Sequence, residues 1–128
     1  MNMNNLYNLA LVTLGGGLGA LSRFFIVTLI DSRVTFALPI TTALVNITGC
    51  FCAGALFGLY NGVENLPVHL KSILLIGFLG GFTTFSAFSI EVLGQVMNGA
   101  LGRALVVVVL NVVGSLIAVW VGMRLGAR

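Results

Sequence analysis

Charge is absent from three long stretches of this chain, residues 34–60, 72–90 and 104–123, and residues 6–30 contain a single charged side chain, Arg23. A helix needs about 20 predominantly apolar residues to cross the hydrocarbon core of a bilayer, and each stretch has roughly that length. Of all residues, 59% are hydrophobic and only 7% are charged. The sequence therefore predicts an all-α integral membrane protein with four transmembrane helices.

Charged and turn-forming residues place the four spans at about residues 7–30, 37–60, 71–97 and 103–124. Because almost nothing is left over, we expect residues 1–128 to form a single transmembrane domain. The first residues contain neither a basic cluster nor a small-residue cleavage pattern, so we expect the first span to be retained.

The basic residues give almost no preference for one orientation in the membrane. Four spans put both termini on one side, together with Lys71, Arg124 and Arg128, while the other side holds Arg33, Arg103 and, at its border, Arg23. Orientation follows the excess of Lys and Arg in short loops. Either the chain inserts both ways, or its sequence does not specify the direction.

Signatures of catalysis, metal binding and nucleic-acid binding are not found. GGGLGA at residues 15–20 resembles a dinucleotide fingerprint, but no strand precedes it. Cys50 and Cys52 lie two apart on a predicted helix, where they point in different directions, and His69 has no second ligand pair nearby. The six basic residues are scattered and form no patch. We therefore expect neither an enzyme, an organic cofactor nor a nucleic-acid partner.

Small residues recur four apart in three spans, as in Gly15 and Gly19, Gly54 and Gly58, and Gly114, Ala118 and Gly122. Such spacing lets helix backbones approach closely in lipid, so it predicts helix contacts.

Neutral polar residues form a stripe on each of the three later spans. The stripes consist of Thr42 and Asn46; of Thr83, Thr84, Ser86 and Ser89; and of Asn111 and Ser115. A carboxamide at the depth of Asn46 must find partners in protein or water, because lipid supplies none. Unrelated interhelical hydrogen bonds are one explanation, but three stripes in so small a protein favour a narrow path lined by donors.

The stretch GFLGGFTTFSAFSIE, residues 77–91, has an unusual composition for a membrane helix. Gly77, Gly80 and Gly81 lower helix propensity by about 1 kcal/mol each relative to alanine, and two threonines follow. One interpretation is a helix break whose freed carbonyls coordinate a cation. The other is an unbroken helix with a tightly packed glycine face.

Phenylalanines in the same stretch form an apparent stripe of Phe78, Phe82, Phe85 and Phe88. Such stripes are usually packing, but a ring edge carries partial positive charge and can face an anion. Hydroxyls at Ser86 and Ser89 are suitable donors for such an anion. Glu91 marks either the membrane interface or the mouth of a pore, and Arg23 is interpreted either as the end of the hydrocarbon or as a buried functional charge.

Four segments resemble the signature segments of the Fluc fluoride channels, and they cover every span. These are GGLGALSRF at 16–24, TTALVNITG at 41–49, GFLGGFTTFSAFSIE at 77–91 and NVVGSL at 111–116. The resemblance implies a passive, fluoride-selective channel that exports toxic fluoride across the bacterial plasma (inner) membrane. It also implies a broken third helix and an inverted, dual-topology homodimer with two pores, surrounded by membrane lipid.

The resemblance also assigns roles to individual residues. A structural sodium ion would be bound by the backbone carbonyls of Gly80 and Thr83 from both subunits, and the ring edges of Phe85 and Phe88 would face the permeating fluoride. The remaining ion-pathway residues are Asn46, Thr84, Ser86, Ser115, Arg23 and Glu91, to which the polar stripe adds Thr42. No role is assigned to Asn111.

The main alternative is a small four-helix multidrug or cation exporter. Such exporters depend on a glutamate embedded in the first helix, whereas no acidic residue precedes Asp31 here. A membrane subunit held only by its small-residue contacts would not require three polar stripes.

Overall fold

A computed structural model describes residues 3–33 and 39–127, and within these ranges the chain is helical without strands. Four helices are long and apolar enough to cross a membrane: Met3–Arg33, Thr41–Leu59, Val68–Met97 and Leu101–Gly126. The predicted all-α, four-helix class is thus confirmed. The predicted start of the second span at residue 37, and Arg128, lie outside the described residues.

We name the helices α1 (Met3–Arg33), α2 (Thr41–Leu59), α3 (residues 68–82), α4 (Phe85–Met97) and α5 (Leu101–Gly126). Helix α1 exceeds its predicted span at both ends because no glycine or proline interrupts it there.

Two prolines and one glycine define the ends of α2 and α3. Pro39 precedes α2 by two residues, and Pro67 lies directly before the first residue of α3. Between them the chain turns at Asn61 (φ 52°) and Gly62 (φ 128°). The φ of Gly62 is one that L side chains rarely adopt, so this glycine allows the tight exit from α2.

The third span is interrupted at two threonines. Thr83 (φ −78°, ψ 156°) and Thr84 (φ −149°, ψ 120°) are extended, which separates α3 from α4. The helix break of the first interpretation is therefore present and the unbroken helix of the second is not, although Gly77 and Gly81 before the break pack closely against α1 as the second expected. Cation binding by the freed carbonyls stays a prediction.

Close contact between α1 and α3 is possible because the residues that meet there are glycines, which have no side chain. A Cβ on Gly19 would overlap the carbonyl oxygen of Phe78, and one on Gly81 would overlap that of Gly16. The pairing of backbones at Gly15 and Gly19 follows the predicted spacing.

A second close contact joins α2 to the C-terminal half of α5. A Cβ on Gly54 would overlap the carbonyl oxygen of Val119, and one on Gly122 would overlap that of Phe51. Further along, Gly58 meets the backbone at Met123. The two backbone contacts, α1 with α3 and α2 with α5, form the framework that holds the break.

Two segments have wider turns than an α-helix, Lys71–Leu79 in α3 and Leu110–Gly114 in α5. Both are π-helical, with backbone hydrogen bonds of the i to i+5 type. The first leads into the break, and the second contains Asn111. Such turns often occur at functional sites in helices.

The phenylalanines do not form one continuous stripe, contrary to their spacing. Phe78 and Phe82 stack with centroids 5.8 Å apart, whereas Phe85 and Phe88 meet edge to face at 5.1 Å and 69°. Phe82 is 6% exposed and Phe85 is 75% exposed. The extended residues between them change the helical phase, so the second pair points in another direction.

Candidate functional site at the helix break

Asn46 of α2 forms hydrogen bonds with both backbone groups of Thr84, at the interruption of the third span. Its Oδ1 accepts from the N–H of Thr84 at 2.8 Å, and its Nδ2 donates to the carbonyl oxygen of Thr84 at 2.9 Å. Backbone groups freed at a break in the hydrocarbon need such partners. The carboxamide thus supplies a partner for both backbone groups of Thr84, which helps to stabilise the break at this position.

Thr84 also begins the second half of the span. Its Oγ1 accepts from the N–H of Ala87 at 3.3 Å, which is the geometry of a helix N-cap, and lies 3.2 Å from Oγ of Ser86. Threonine is a favoured N-cap residue because its side-chain oxygen satisfies a free N–H of the first turn.

A first cavity of about 350 Å³ lies beside the break. It brings together Phe85, Phe88, Asn46, Thr84 and Ser115, all predicted ion-pathway residues. The other side chains that line it are those of Cys50, Thr83, Asn111, Val112, Leu116 and Val119, so none of the lining side chains is charged.

A second cavity, of about 450 Å³, lies on the other side of Thr84. It contains Arg23, Thr42 and Glu91, the three remaining predicted residues that the structure brings together. The hydroxyl of Thr42 donates to Oε1 of Glu91. Because Thr84 lines both cavities, the helix break separates a neutral compartment from one that contains both an acid and a base.

One buried polar atom in each cavity has no hydrogen-bond partner within the described part of the chain. These are Oγ of Ser115 in the first cavity and Oε2 of Glu91 in the second. An unpaired buried polar group costs about 1–3 kcal/mol. The Ser115 hydroxyl could donate to an anion or to water, whereas the Glu91 oxygen could only accept from water or another donor.

Ser86 and Ser89 lie outside the lining of both cavities. Ser86 is exposed and reaches the site only through Thr84, while the hydroxyl of Ser89 donates to the carbonyl oxygen of Phe85 at 2.9 Å. The O–H of Ser89, expected to be available as a donor, is thus already used in a hydrogen bond within its own helix.

Two N–H groups near the break are diverted from their helical acceptors. In a continuous α-helix the N–H of Thr84 would donate to the carbonyl of Gly80, and that of Ala87 to the carbonyl of Thr83. Here they donate instead to Asn46 and to Oγ1 of Thr84. Gly80 is exposed on the surface of the chain and Thr83 is half-buried.

Asn111 belongs to the site, although the family resemblance assigned it no role. It is 5% exposed, its Oδ1 accepts from Nδ2 of Asn46 at 2.8 Å, and its Nδ2 donates to the carbonyl oxygen of Val107 at 3.0 Å. The signal available in the sequence was a carboxamide in the middle of an apolar span, one turn from Ser115.

Metal-ligating side chains are not clustered in the described ranges: no group of three or more His, Cys, Asp or Glu is found there. Cys50 and Cys52 are free thiols, half-buried and exposed respectively.

Residues 10–123 match the model of the family described as "CrcB-like protein, Camphor Resistance (CrcB)". The chain is 41% identical to a fluoride-specific ion channel FluC of Solibacter usitatus, over 92% of this chain and 97% of that one. It is 36% identical to one of Methylobacillus flagellatus, covering 94% of both chains, and 38% identical to one of Azobacteroides pseudotrichonymphae, covering 88% and 90%. The chain has four helices that can span a membrane, the third of them broken, and it matches the family model over most of its length. This chain is therefore a multi-pass bacterial membrane protein that belongs to the CrcB-like family.

Proposed function

We propose that this protein is a fluoride-selective passive channel that exports toxic fluoride across the bacterial plasma membrane. Relatives that share 36–41% of its residues are named fluoride-specific ion channels. The observation that carries the proposal is the neutral cavity at the break, lined by two phenylalanine rings, a free hydroxyl at Ser115 and two carboxamides.

A small, strongly hydrated anion must exchange its water for closely placed donors as it crosses. A fixed positive charge in the narrow part would hold it too tightly, whereas neutral hydroxyls and ring edges release it again. The first cavity has these properties. Arg23 lines the second cavity together with Glu91, so its positive charge lies outside the neutral first cavity, at a place where it can attract anions towards the path.

A second copy in the inverted orientation completes the path in this proposal. One chain leaves Phe85 75% exposed and Gly80 uncovered on its surface. The nearly equal Lys and Arg on the two sides allow the chain to insert both ways. Pairing of two inverted copies is closed by a two-fold axis and would yield two equivalent pores.

A sodium ion fits the break better than a purely packed interface does. The carbonyls of Gly80 and Thr83 have lost their usual helical donors, and an alkali cation is bound by oxygens of this kind. Each chain contributes two carbonyl oxygens, and its inverted partner would contribute the other two. The ion would supply a fixed charge that holds the two breaks together.

Fluoride efflux from liposomes that contain only the purified protein tests the channel function, with a fluoride electrode as the readout. We expect passive fluoride flux down its gradient and far slower chloride flux. Absence of fluoride flux, or equal flux of the two halides, would refute the proposal. Transport of an organic cation that requires a proton gradient would favour the four-helix exporter instead.

Separate measurements test the assembly. A Ser32→Cys variant on a background lacking Cys50 and Cys52 should be labelled equally from both sides of the membrane, and one-sided labelling would contradict dual topology. For the ion, an experimental density map should show a peak on the two-fold axis between paired Gly80 and Thr83 carbonyls. Water or empty space at that point would remove the sodium site.

A further inference from the structure

We propose that Asn111 is a positioning residue, which holds the helix break in place by fixing the carboxamide of Asn46. The family resemblance assigned Asn111 no role, yet through Asn46 it connects the backbone of α5 to the interrupted backbone at Thr84. The chain of hydrogen bonds is inferred from interatomic distances alone. Its expected effect on ion selectivity, however, rests on the proposed channel function.

The donors and acceptors around the two carboxamides determine the orientation of each. The N–H of Thr84 is a donor, so the Asn46 atom that faces it at 2.8 Å must be Oδ1. Nδ2 of Asn46 then donates to the carbonyl oxygen of Thr84 and to Oδ1 of Asn111. Only one orientation of each amide satisfies all these contacts, since Nδ2 of Asn111 in turn donates to Val107.

Both N–H groups of Asn46 are used by these bonds. A primary amide has two N–H donors, and one is directed at Thr84 and the other at Asn111. In this arrangement Asn46 has no donor left for an anion in the cavity. Asn46 therefore shapes the path through the backbone that it holds, and does not donate to the ion.

The far end of the hydrogen-bond chain is buried. Val107 is 0% exposed, the segment Leu101–Val109 that contains it packs against α4, and Asn111 lies in the π-helical turn Leu110–Gly114. The wider turn alters the direction of Asn111 relative to a regular α-helix. The order of contacts is Val107, Asn111, Asn46, Thr84, and the next residue along the chain is Phe85, which lines the cavity.

Hydrogen exchange at the Thr84 amide tests this chain of contacts directly, using the intact protein in detergent with ¹⁵N-threonine labelling. Asn111→Leu removes the acceptor for Asn46, and we expect the Thr84 amide to exchange about fivefold faster or more. Val113→Leu is the matched control, because Val113 lies on the same turn but is 45% exposed. Its Thr84 exchange should equal that of the wild type.

Two further variants keep the test decisive. Asn46→Ala should increase Thr84 exchange by itself, and adding Asn111→Leu to it should cause no further increase, because Asn111 acts through Asn46. Asn111→Asp keeps an acceptor oxygen at the Oδ1 position, and in its protonated form the O–H replaces the Nδ2 donor to Val107, so Thr84 exchange should stay close to the wild type at low pH. If Asn111→Leu fails to assemble, Asn111→Ala, which also removes the acceptor for Asn46, takes its place with the same expected result.

Unchanged Thr84 exchange in folded Asn111→Leu, or additive effects in the double variant, would overturn the positioning role. Selectivity provides the functional readout: Asn111→Leu should lower the ratio of fluoride to chloride flux, while Val113→Leu should not. A wild-type protein without fluoride flux would refute the channel function but would leave the exchange result standing, so the two failures are distinguishable.

Discussion

The hydroxyl of Thr42 on α2 donates a hydrogen bond to the carboxylate of Glu91 on α4, across 49 residues of sequence. Thr42 is 6% exposed, and Arg23 from α1 lines the same cavity. Three helices thus contribute polar groups to one compartment next to the break. The second carboxylate oxygen of Glu91 has no partner among the described residues.

Removal of the Thr42 hydroxyl should destabilise the protein, because it leaves the buried carboxylate without its donor. For Thr42→Val we expect a loss of about 1–3 kcal/mol in the free energy of unfolding. Thr48→Val is the matched control, since the Thr48 hydroxyl bonds only to Leu44 within its own helix. Equilibrium unfolding in mixed micelles measures both. Equal stability of the two variants would contradict a structural role for the Thr42–Glu91 bond.

Substitution of Phe85 should reduce conduction without unfolding the protein. Its ring lines the neutral cavity and is 75% exposed in the single chain, so little core packing is lost in Phe85→Ile. We expect fluoride flux in liposomes to fall by about tenfold or more, the effect of losing roughly 1.4 kcal/mol at the barrier. Phe25→Ile serves as the control, because Phe25 is 65% exposed and lies on α1. Wild-type flux in Phe85→Ile would refute its assignment to the path.

The free hydroxyl of Ser115 should matter for conduction but not for stability. Because its Oγ has no partner within the described chain, Ser115→Ala breaks no hydrogen bond and removes an unpaired buried group. We expect unfolding stability to be unchanged or higher and fluoride flux to be lower. Ser89→Ala, which removes a hydroxyl bonded to Phe85, should leave the flux almost unchanged. A Ser115→Ala variant with full flux would exclude the hydroxyl from the path.

A methyl group at Gly19 should disturb the contact between α1 and α3. The Cβ of Gly19→Ala would overlap the backbone carbonyl of Phe78, and overpacking of this kind costs about 1–3 kcal/mol. Gly17 lies on the same helix with no atom within 4 Å of such a Cβ. Gly17→Ala should therefore be neutral or slightly stabilising, owing to its better helix propensity. Thermal unfolding that ranks the two variants equally would contradict the close packing.

Residues 77–91 show how far local reasoning reaches. Glycines and threonines predict a weak point in the helix, and the interruption occurs at Thr83 and Thr84. Spacing alone placed Phe82 on one stripe with Phe85 and Phe88. That interpretation fails because helical periodicity assumes a continuous helix, and the two extended residues reset the phase.

Asn46 and Asn111 show where local reasoning stops. Each stands out as a carboxamide in an apolar span, and such a group must find a partner. Which partner it finds depends on contacts across 38 and 65 residues of sequence. Asn46 was expected to line a path; it lines the first cavity, with both of its donors bound to protein.

The sequence by itself determined the number of spans and indicated residues 77–91 as a weak point of the third helix, because charge, apolar length and glycine content act over neighbouring residues. The tertiary structure decided what stabilises the break and how the polar residues divide between two cavities. Those outcomes depend on how α2 and α5 pack against the third span, and hydrogen bonds between distant helices leave no periodic pattern in the chain. The stretch that looked most unusual in the sequence is therefore held in place by two asparagines that lie outside it.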